Sequence, residues 1–216
     1  AEIIIIQPDA SLSINNITVT PQGPCGYDVL CQTDETASIN TDAAGGTEPY
    51  TYLLLDTIGG VIDSNFNLNG IGAGEYSIMV VDANQCTTSP VSFTIEEPEA
   101  ITINLDQYND VNCNNVFDGS ITPIIEGGAV CTNYSFQWEL DGTNYSSDSI
   151  INSLSPGTYQ LTVTDANGCF DTQSINISQP DNPLSFSSIQ LSDYNGEGVS
   201  GNGIEDGFIN ISITGG

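Results

Sequence analysis

The groups in this chain that can do chemistry are six cysteines, Cys25, Cys31, Cys86, Cys113, Cys131 and Cys169, and 28 Asp and Glu carboxylates. Lys, Arg and His are all absent, which leaves a formal net charge of -28. Cysteines offer disulfides, and carboxylates offer acid–base work or hard-cation ligation. Without His or Lys no Ser or Cys nucleophile can be activated, and without Arg no phosphate or carboxylate can be clamped. Catalysis would be left with carboxylate pairs, Tyr and metal-assisted routes, so the composition argues against an enzyme. It also excludes nucleic acid, whose affinity rests on Lys and Arg at phosphates, and binding to anionic membrane surfaces. Lys–Asn isopeptide cross-links are excluded as well.

The elements that must position these groups show themselves as a repeat. Gly74-Glu75-Tyr76-Ser77-Ile78-Met79-Val80-Val81-Asp82-Ala83-Asn84-Gln85-Cys86 returns as Gly157-Thr158-Tyr159-Gln160-Leu161-Thr162-Val163-Thr164-Asp165-Ala166-Asn167-Gly168-Cys169. Both read as a corner, a strand of period two and a polar turn closed by cysteine. Junctions at Gln7-Pro8, Glu97-Pro98 and Gln179-Pro180 set the period, and Gly45-Gly46, Gly127-Gly128 and Gly215-Gly216 recur in step. The expected organisation is residues 1–8 as the last strand of a preceding repeat, repeats at 9–98 and 99–180, and the opening part of a third at 181–216. The stretch Ala1-Glu2-Ile3-Ile4-Ile5-Ile6 lacks a basic flank and is too short for a signal peptide. No apolar run reaches the roughly 18 residues of a membrane span, so no membrane insertion is expected.

Within each repeat about seven short strands alternate apolar and polar residues. The fold expected is therefore all-β: tandem immunoglobulin-like β-sandwich repeats, beads on a string, with next to no helix. The first strands are Leu12–Thr20, Ile101–Leu105 and Leu184–Leu191. The second strands open at Ser38-Ile39, Ser120-Ile121 and Phe208-Ile209, each running into the glycine pair. Weak strands are expected at Val61-Ile62, Phe66–Leu68 and Ile150-Ile151. Tyr76 and Tyr159 stand where a tyrosine corner opens the sixth strand. Trp138 and the ladder Tyr50, Tyr52, Tyr134, Phe136 read as sandwich core in preference to a sugar platform.

Three cysteines per repeat cannot all pair internally. In an immunoglobulin-like order Cys25, Cys31 and Cys113 fall at the trailing pole of their repeats, where the next repeat attaches. Cys86, Cys131 and Cys169 fall at the leading pole. Strands of about eight residues separate the poles by roughly 25–30 Å, well beyond the about 7 Å that a disulfide spans between Cα atoms. One scheme therefore links repeats, Cys31 to Cys169 and Cys25 to Cys131, with Cys86 and Cys113 bonded outside this stretch. A second pairs Cys25 with Cys31 and Cys131 with Cys169; a third joins Cys31 to Cys86 and needs a different strand order. All presuppose an oxidising, extracellular setting.

Gly45-Gly46, Pro49-Tyr50-Thr51-Tyr52, Ala73-Gly74-Glu75-Tyr76, Val163-Thr164-Asp165-Ala166-Asn167-Gly168-Cys169 and the closing Gln179-Pro180 together resemble the SprB-type repeat. That repeat builds giant gliding-motility adhesins on the cell surface of Bacteroidota, exported by the type IX system. The resemblance covers both full repeats and the third fragment. It departs at Gly201, where that family often carries Cys. It implies a segment of a secreted surface filament whose partners are neighbouring repeats of the same chain, an external surface or glycan ligand, and the secretion and gliding machinery. Asp56-Thr57-Ile58 and Asp148-Ser149-Ile150 resemble the triplets that Bacteroidota O-glycosylate, which would place sugar on Thr57 and Ser149.

The carboxylates suggest calcium as the one candidate cofactor, since calcium takes six to eight oxygens from loops rich in Asp, Asn and Gly. Asp106, Asn109, Asp110, Asn112, Asn114 and Asp118 form one candidate set; Asp193, Asn195, Glu197, Asn202, Glu205 and Asp206 form another. Glu96, Glu97 and Glu99 facing Asp165 form a third, at the junction. The competing reading makes them turn residues capping local backbone. The alternative function that follows from the first reading is a calcium-dependent glycan-binding module.

Overall fold

The computed structural model describes residues 8–64 and 68–216. The strand expected over residues 1–8 lies outside the described residues but for Pro8, and most of the one expected at Phe66–Leu68 does too.

Among the described residues the first repeat holds seven strands: β1 (Ser13–Thr20), β2 (Ala37–Ala44), β3 (Thr51–Leu55), β4 (Val61–Asp63), β5 (Leu68–Ile71), β6 (Gly74–Val81) and β7 (Val91–Ile95). They form two antiparallel sheets, β1-β2-β5 and β4-β3-β6-β7. Period two decides which side chains face inward. In β3 Tyr52 and Leu54 are buried on one face and Leu55 is buried at the strand's end, and in β6 Ile78 and Val80 are buried. The register sets Leu54 opposite Ile78 and Tyr52 opposite Val80, so both strands bury the same face. Ala37, Ile39 and Leu68 close the core from the other sheet. Each buried aliphatic side chain contributes about 1.5–3 kcal/mol by leaving water.

The second repeat runs β8 (Thr102–Asn104), β9 (Tyr108–Asn109), β10 (Gly119–Ile121), β11 (Ile124–Glu126), β12 (Ser135–Leu140), β13 (Thr143–Ser146), β14 (Ile151–Leu154), β15 (Gly157–Thr164) and β16 (Phe170–Ile177). Its sheets are β14-β10-β9, β11-β8 and β13-β12-β15-β16. The first strand expected at Ile101–Leu105 is β8, and β9 is an additional strand beyond it; the second strand, expected to run from Ser120-Ile121 to the glycine pair, is broken in two. Between β8 and β9 the Asp106 N–H turns back to the Asn104 side-chain oxygen at 2.8 Å, an Asx turn that ends a strand. Between β10 and β11 stands Pro123, which has no N–H for a ladder. Trp138 is fully buried in this repeat, with Nε1 donating to the Asp148 carbonyl at 2.9 Å, and Tyr159 is fully buried too. Of the aromatics expected as core, Trp138 and Tyr52 are buried, while Tyr50, Tyr134 and Phe136 are half-buried.

In the third stretch β17 (Ser185–Leu191) and β18 (Ile209–Thr214) form an antiparallel pair, with Leu191 opposite Ile209 and Ser185 opposite Thr214. No helix occurs among the described residues. The fold is all-β, built of tandem sandwich repeats.

By its contacts the chain divides into two compact units whose limits differ from the repeat limits. The first comprises Ala1–Thr102, Ile125–Ser135 and Val163–Asp171; the second comprises Ile103–Ile124, Phe136–Thr162 and Thr172–Gly216. Two segments of the second repeat thus belong with the first repeat.

Candidate functional site, a disulfide-latched joint

Every bond of the joint lies within the first unit. On the first repeat it is presented by the loop between β1 and β2, which carries Cys25 and Cys31. Val29 anchors this loop by full burial. Asp28 and Glu96 clasp it to the end of β7: the Asp28 N–H donates to the Glu96 carbonyl at 3.0 Å, and the Glu96 N–H donates to Asp28 Oδ2 at 2.8 Å. Beyond Cys31, Thr33 takes a left-handed φ of 64° and donates its N–H to Glu97 Oε2 at 2.7 Å. Asp34 closes the turn by accepting the Cys31 N–H at 3.2 Å. The cysteine is held on both sides before it meets its partner.

On the second repeat the joint is the turn Asp165-Ala166-Asn167-Gly168-Cys169 after β15. Asp165 is 8% exposed, and its carboxylate organises the turn. Oδ1 accepts the N–H groups of Asn167 and Cys169, each at 2.9 Å, and Oδ2 accepts that of Ala129 at 2.7 Å. A buried carboxylate is costly unless its lone pairs are satisfied, and three backbone donors satisfy this one. Beside it the Tyr134 hydroxyl donates to the Gly127 carbonyl at 2.6 Å. Burial raises the Tyr134 pKa, and the Asp165 charge adds to the effect.

The two faces are joined covalently twice. Cys25 is bonded to Cys131 with Cα atoms 5.3 Å apart, and Cys31 to Cys169 with Cα atoms 5.7 Å apart. Cys86 and Cys113 are free and exposed. Between the bridges Asn167 Nδ2 donates to the Leu30 carbonyl at 2.8 Å. Gly23 makes room for this contact: its φ is +70°, and an added Cβ would lie 2.5 Å from Asn167 Oδ1. The joint can therefore transmit tension through covalent bonds and resist rotation through the hydrogen bond.

The first repeat repeats the same turn at Asp82–Cys86. Asp82 is 2% exposed and accepts from Asn84 and Cys86 N–H at 2.9 Å each and from Thr47 N–H at 3.0 Å. These donors, led by Cys86, hold its carboxyl below the usual aspartate range against the opposing cost of burial. The tyrosines at the sixth strands behave alike: Tyr76 OH donates to the Gly72 carbonyl at 3.1 Å and Tyr159 OH to the Ser155 carbonyl at 3.0 Å. Each reaches four residues upstream, the geometry of a tyrosine corner.

The expected calcium sets are not brought together as ion sites. Asp118 accepts from both the backbone N–H and the Nδ2 of Asn112, which lowers its pKa, the side-chain bond first. Asp206 accepts from the Ser200 N–H, and its pKa is lowered by Ser200 in the same way. Asp106 accepts from Asn104 Nδ2, Asp110 from the Ser178 N–H and Asp193 from the Gly196 N–H. Glu197 pairs through its backbone with Tyr194. At the junction Glu97 is bonded to Thr33, Glu96 through its N–H to Asp28, and Glu99 through its carbonyl to Gly128. Among the described residues no three His, Cys, Asp or Glu side chains group as a metal site. Thr57 and Ser149 both lie exposed in turns.

Sequence reasoning missed Asn167 and Asp28. The signal for Asn167 was present in the returning Asp-Ala-Asn-x-Cys, whose Asn reads as a turn former until its partner is known. Asp28 has no such signal, because the Glu96 amide it accepts from is distant in sequence.

No protein-family model and no curated protein matches the chain. Among solved structures it is similar to the three N-terminal domains of the bacteriophage RB49 Highly Immunogenic Outer Capsid protein, at 12% identity and a TM-score of 0.50, covering 95% of this chain and 69% of that one. Extracellular domains 3–5 of Drosophila OTK match at 12% identity and a TM-score of 0.31, covering 76% of this chain and 61% of that one. At such identity the first likeness speaks to the fold alone, and what it supports is a string of immunoglobulin-like sandwiches.

Proposed function

We propose that this chain is a structural segment of a secreted, surface-exposed repeat protein, an adhesin filament of the SprB type, whose task is to carry contacts away from the cell. The observation that supports it most is the joint: consecutive repeats are bonded through Cys25–Cys131 and Cys31–Cys169, so tension passes across the junction without depending on the sandwich cores. Disulfides persist in oxidising compartments, which suits an extracellular place. The lack of any Lys or Arg leaves no tryptic cleavage site, an advantage among external proteases. The carboxylates serve turns, and no catalytic constellation is needed for this role. Sugar on Thr57 and Ser149 would project from exposed turns without disturbing either core.

The test is labelling of unpermeabilised cells of the source organism with antiserum raised against the chain. Surface label, together with Fab fragments that slow attachment or gliding, is expected. Label that appears only after permeabilisation would overturn the proposal.

A further inference from the structure

The two free cysteines occupy the two complementary positions of the joint just described. The turn holding Cys86 matches the turn holding Cys169 bond for bond: a buried Asp accepts the N–H of the Asn two residues on, of the Cys four residues on, and of a residue just past the glycine pair. The difference lies in what meets it. Beside Cys169 the hollow is walled on one side by Cys31 and Gln32 and keeps about 260 Å³. Beside Cys86 the corresponding hollow, between Ala10–Leu12, Gly46 and Thr87, is open to about 480 Å³. Asn167 and Cys169 are half-buried, whereas Asn84 and Cys86 are exposed. Asn84 Nδ2, with no incoming carbonyl among the described residues, turns back to Thr47 Oγ1 at 2.9 Å.

Cys113 matches Cys31 in the backbone of its loop, with Val116 in place of Asp34. Two residues on, Thr33 and Asn115 share a left-handed φ of 64° and 60°. Their N–H groups donate to the side chains of Glu97 and Gln179. The carbonyls of Cys31 and Cys113 accept from Asp34 and Val116 at 3.1 and 3.2 Å. Asp28 and Asp110 accept the N–H groups of Glu96 and Ser178. The third repeat builds the same loop with Gly201 in the cysteine position: the Ile204 N–H donates to its carbonyl at 3.1 Å and the Ser200 N–H to Asp206.

We propose that the Asp82–Cys86 turn is a socket for the Cys31-type loop of another repeat, which bonds Cys86 through sulfur and gives a backbone carbonyl to Asn84, and that Cys113 is the matching plug. The partner is defined by its chemistry: a left-handed loop carrying a cysteine preceded by a residue with a free carbonyl. Bond formation proceeds by thiol–disulfide exchange with a small-molecule or catalyst disulfide as oxidant. The Cys86 thiolate attacks that disulfide and releases one thiolate. The thiolate of the incoming loop then attacks the mixed disulfide and releases the second. Two protein thiols are oxidised to one disulfide, and one oxidant disulfide is reduced to two thiols. Cysteine at 113 and glycine at 201 further imply that the latch varies from joint to joint.

This inference rests on the reading of the chain as part of a repeat array, but its assay does not involve the cell surface. The full chain is equilibrated in a glutathione redox buffer with a peptide of the sequence Tyr27–Asp34, and separately with a scrambled peptide containing the same cysteine. Mass spectrometry reads the mixed disulfides at Cys86 and Cys113. The expected result is at least about a tenfold preference of Cys86 for the native-order peptide, none at Cys113, and loss of the preference in Asn84→Ala. Asn84 is an exposed side chain whose removal leaves the Asp82 bonds in place, and far-ultraviolet circular dichroism checks that the variant is folded. Equal partition of both peptides, glutathione adducts alone, or a preference untouched by Asn84→Ala would each overturn the socket. Failure of surface labelling would leave this partition unchanged, so the two readings fail separately.

Discussion

Asn167 donates its side-chain amide to the backbone carbonyl of Leu30 at 2.8 Å, across 137 residues of chain. It is a side-chain amide that reads the backbone of the opposite repeat beside the two disulfides. The amide oxygen, Asn167 Oδ1, is buried without a partner, so the residue acts through its donor alone. Asn167→Ala should therefore lower the stability of the first unit by about 1 kcal/mol. Asn167→Asp should cost more, because it sets a charged acceptor against a carbonyl acceptor. Urea titration of the oxidised chain measures both; equal stability of all three would contradict the role given to Asn167.

Glycines in the same left-handed conformation differ in what surrounds them. An added Cβ at Gly127 would lie 1.9 Å from the Ala100 carbonyl oxygen, whereas one at Gly26 meets nothing within 4 Å. Gly26→Ala should cost only the left-handed penalty, about 1–2 kcal/mol. Gly127→Ala adds a backbone clash and should cost more than about 3 kcal/mol or prevent folding of the second repeat. Thermal unfolding of the two variants compares them directly.

The Asp82 carboxyl titrates below the usual aspartate range in the folded chain. A folded pKa below the unfolded one means that the contribution is complete above the unfolded value of about 3.9 and is lost as pH falls through the folded value. Asp82→Asn should therefore be less stable than the native chain at pH 7, and the gap should shrink below about pH 4. With no histidine present, the native melting temperature should stay nearly level from pH 5 to 8. A gap that persists unchanged at pH 2.5 would show that the charge of Asp82 is not what organises its turn.

Much of this architecture was legible beforehand, for identifiable reasons. Alternation in Tyr52–Leu54 and Ile78–Val80 gave the buried faces because a period of two is a property of single strands. The repeat gave the positions of Asp82 and Asp165 together. The split of the second strand at Pro123 was visible in principle, but an apolar run flanking a single proline reads as continuous unless the missing donor is weighed. The carboxylates misled for a different reason: clusters such as Asp106–Asp118 are close in sequence, and only the backbone path shows that each faces its own N–H group. Long-range pairs such as Asp28 with Glu96 leave no trace in either local pattern.

Both disulfides cross the joint, so the residues between Cys31 and Cys169, a separation of 138, are shielded from a force applied at the chain ends. Released, that length would extend by roughly 480 Å at about 3.5 Å per residue. Single-molecule stretching should show this extra contour length only when reductant is present. Loop closure of this size also stabilises by about 4–5 kcal/mol in the chain-entropy account. Identical extension with and without reductant would contradict the shielding.

The joint is defined by which cysteines are bonded. Trypsin has no site to cut, so the native chain is digested with a protease of other specificity without reduction, and the linked peptides are identified by mass spectrometry. Linked peptides joining Cys25 to Cys131 and Cys31 to Cys169, with Cys86 and Cys113 in neither bond, are the predicted result. Bonds from Cys25 to Cys31 and from Cys131 to Cys169, or one from Cys31 to Cys86, would contradict it.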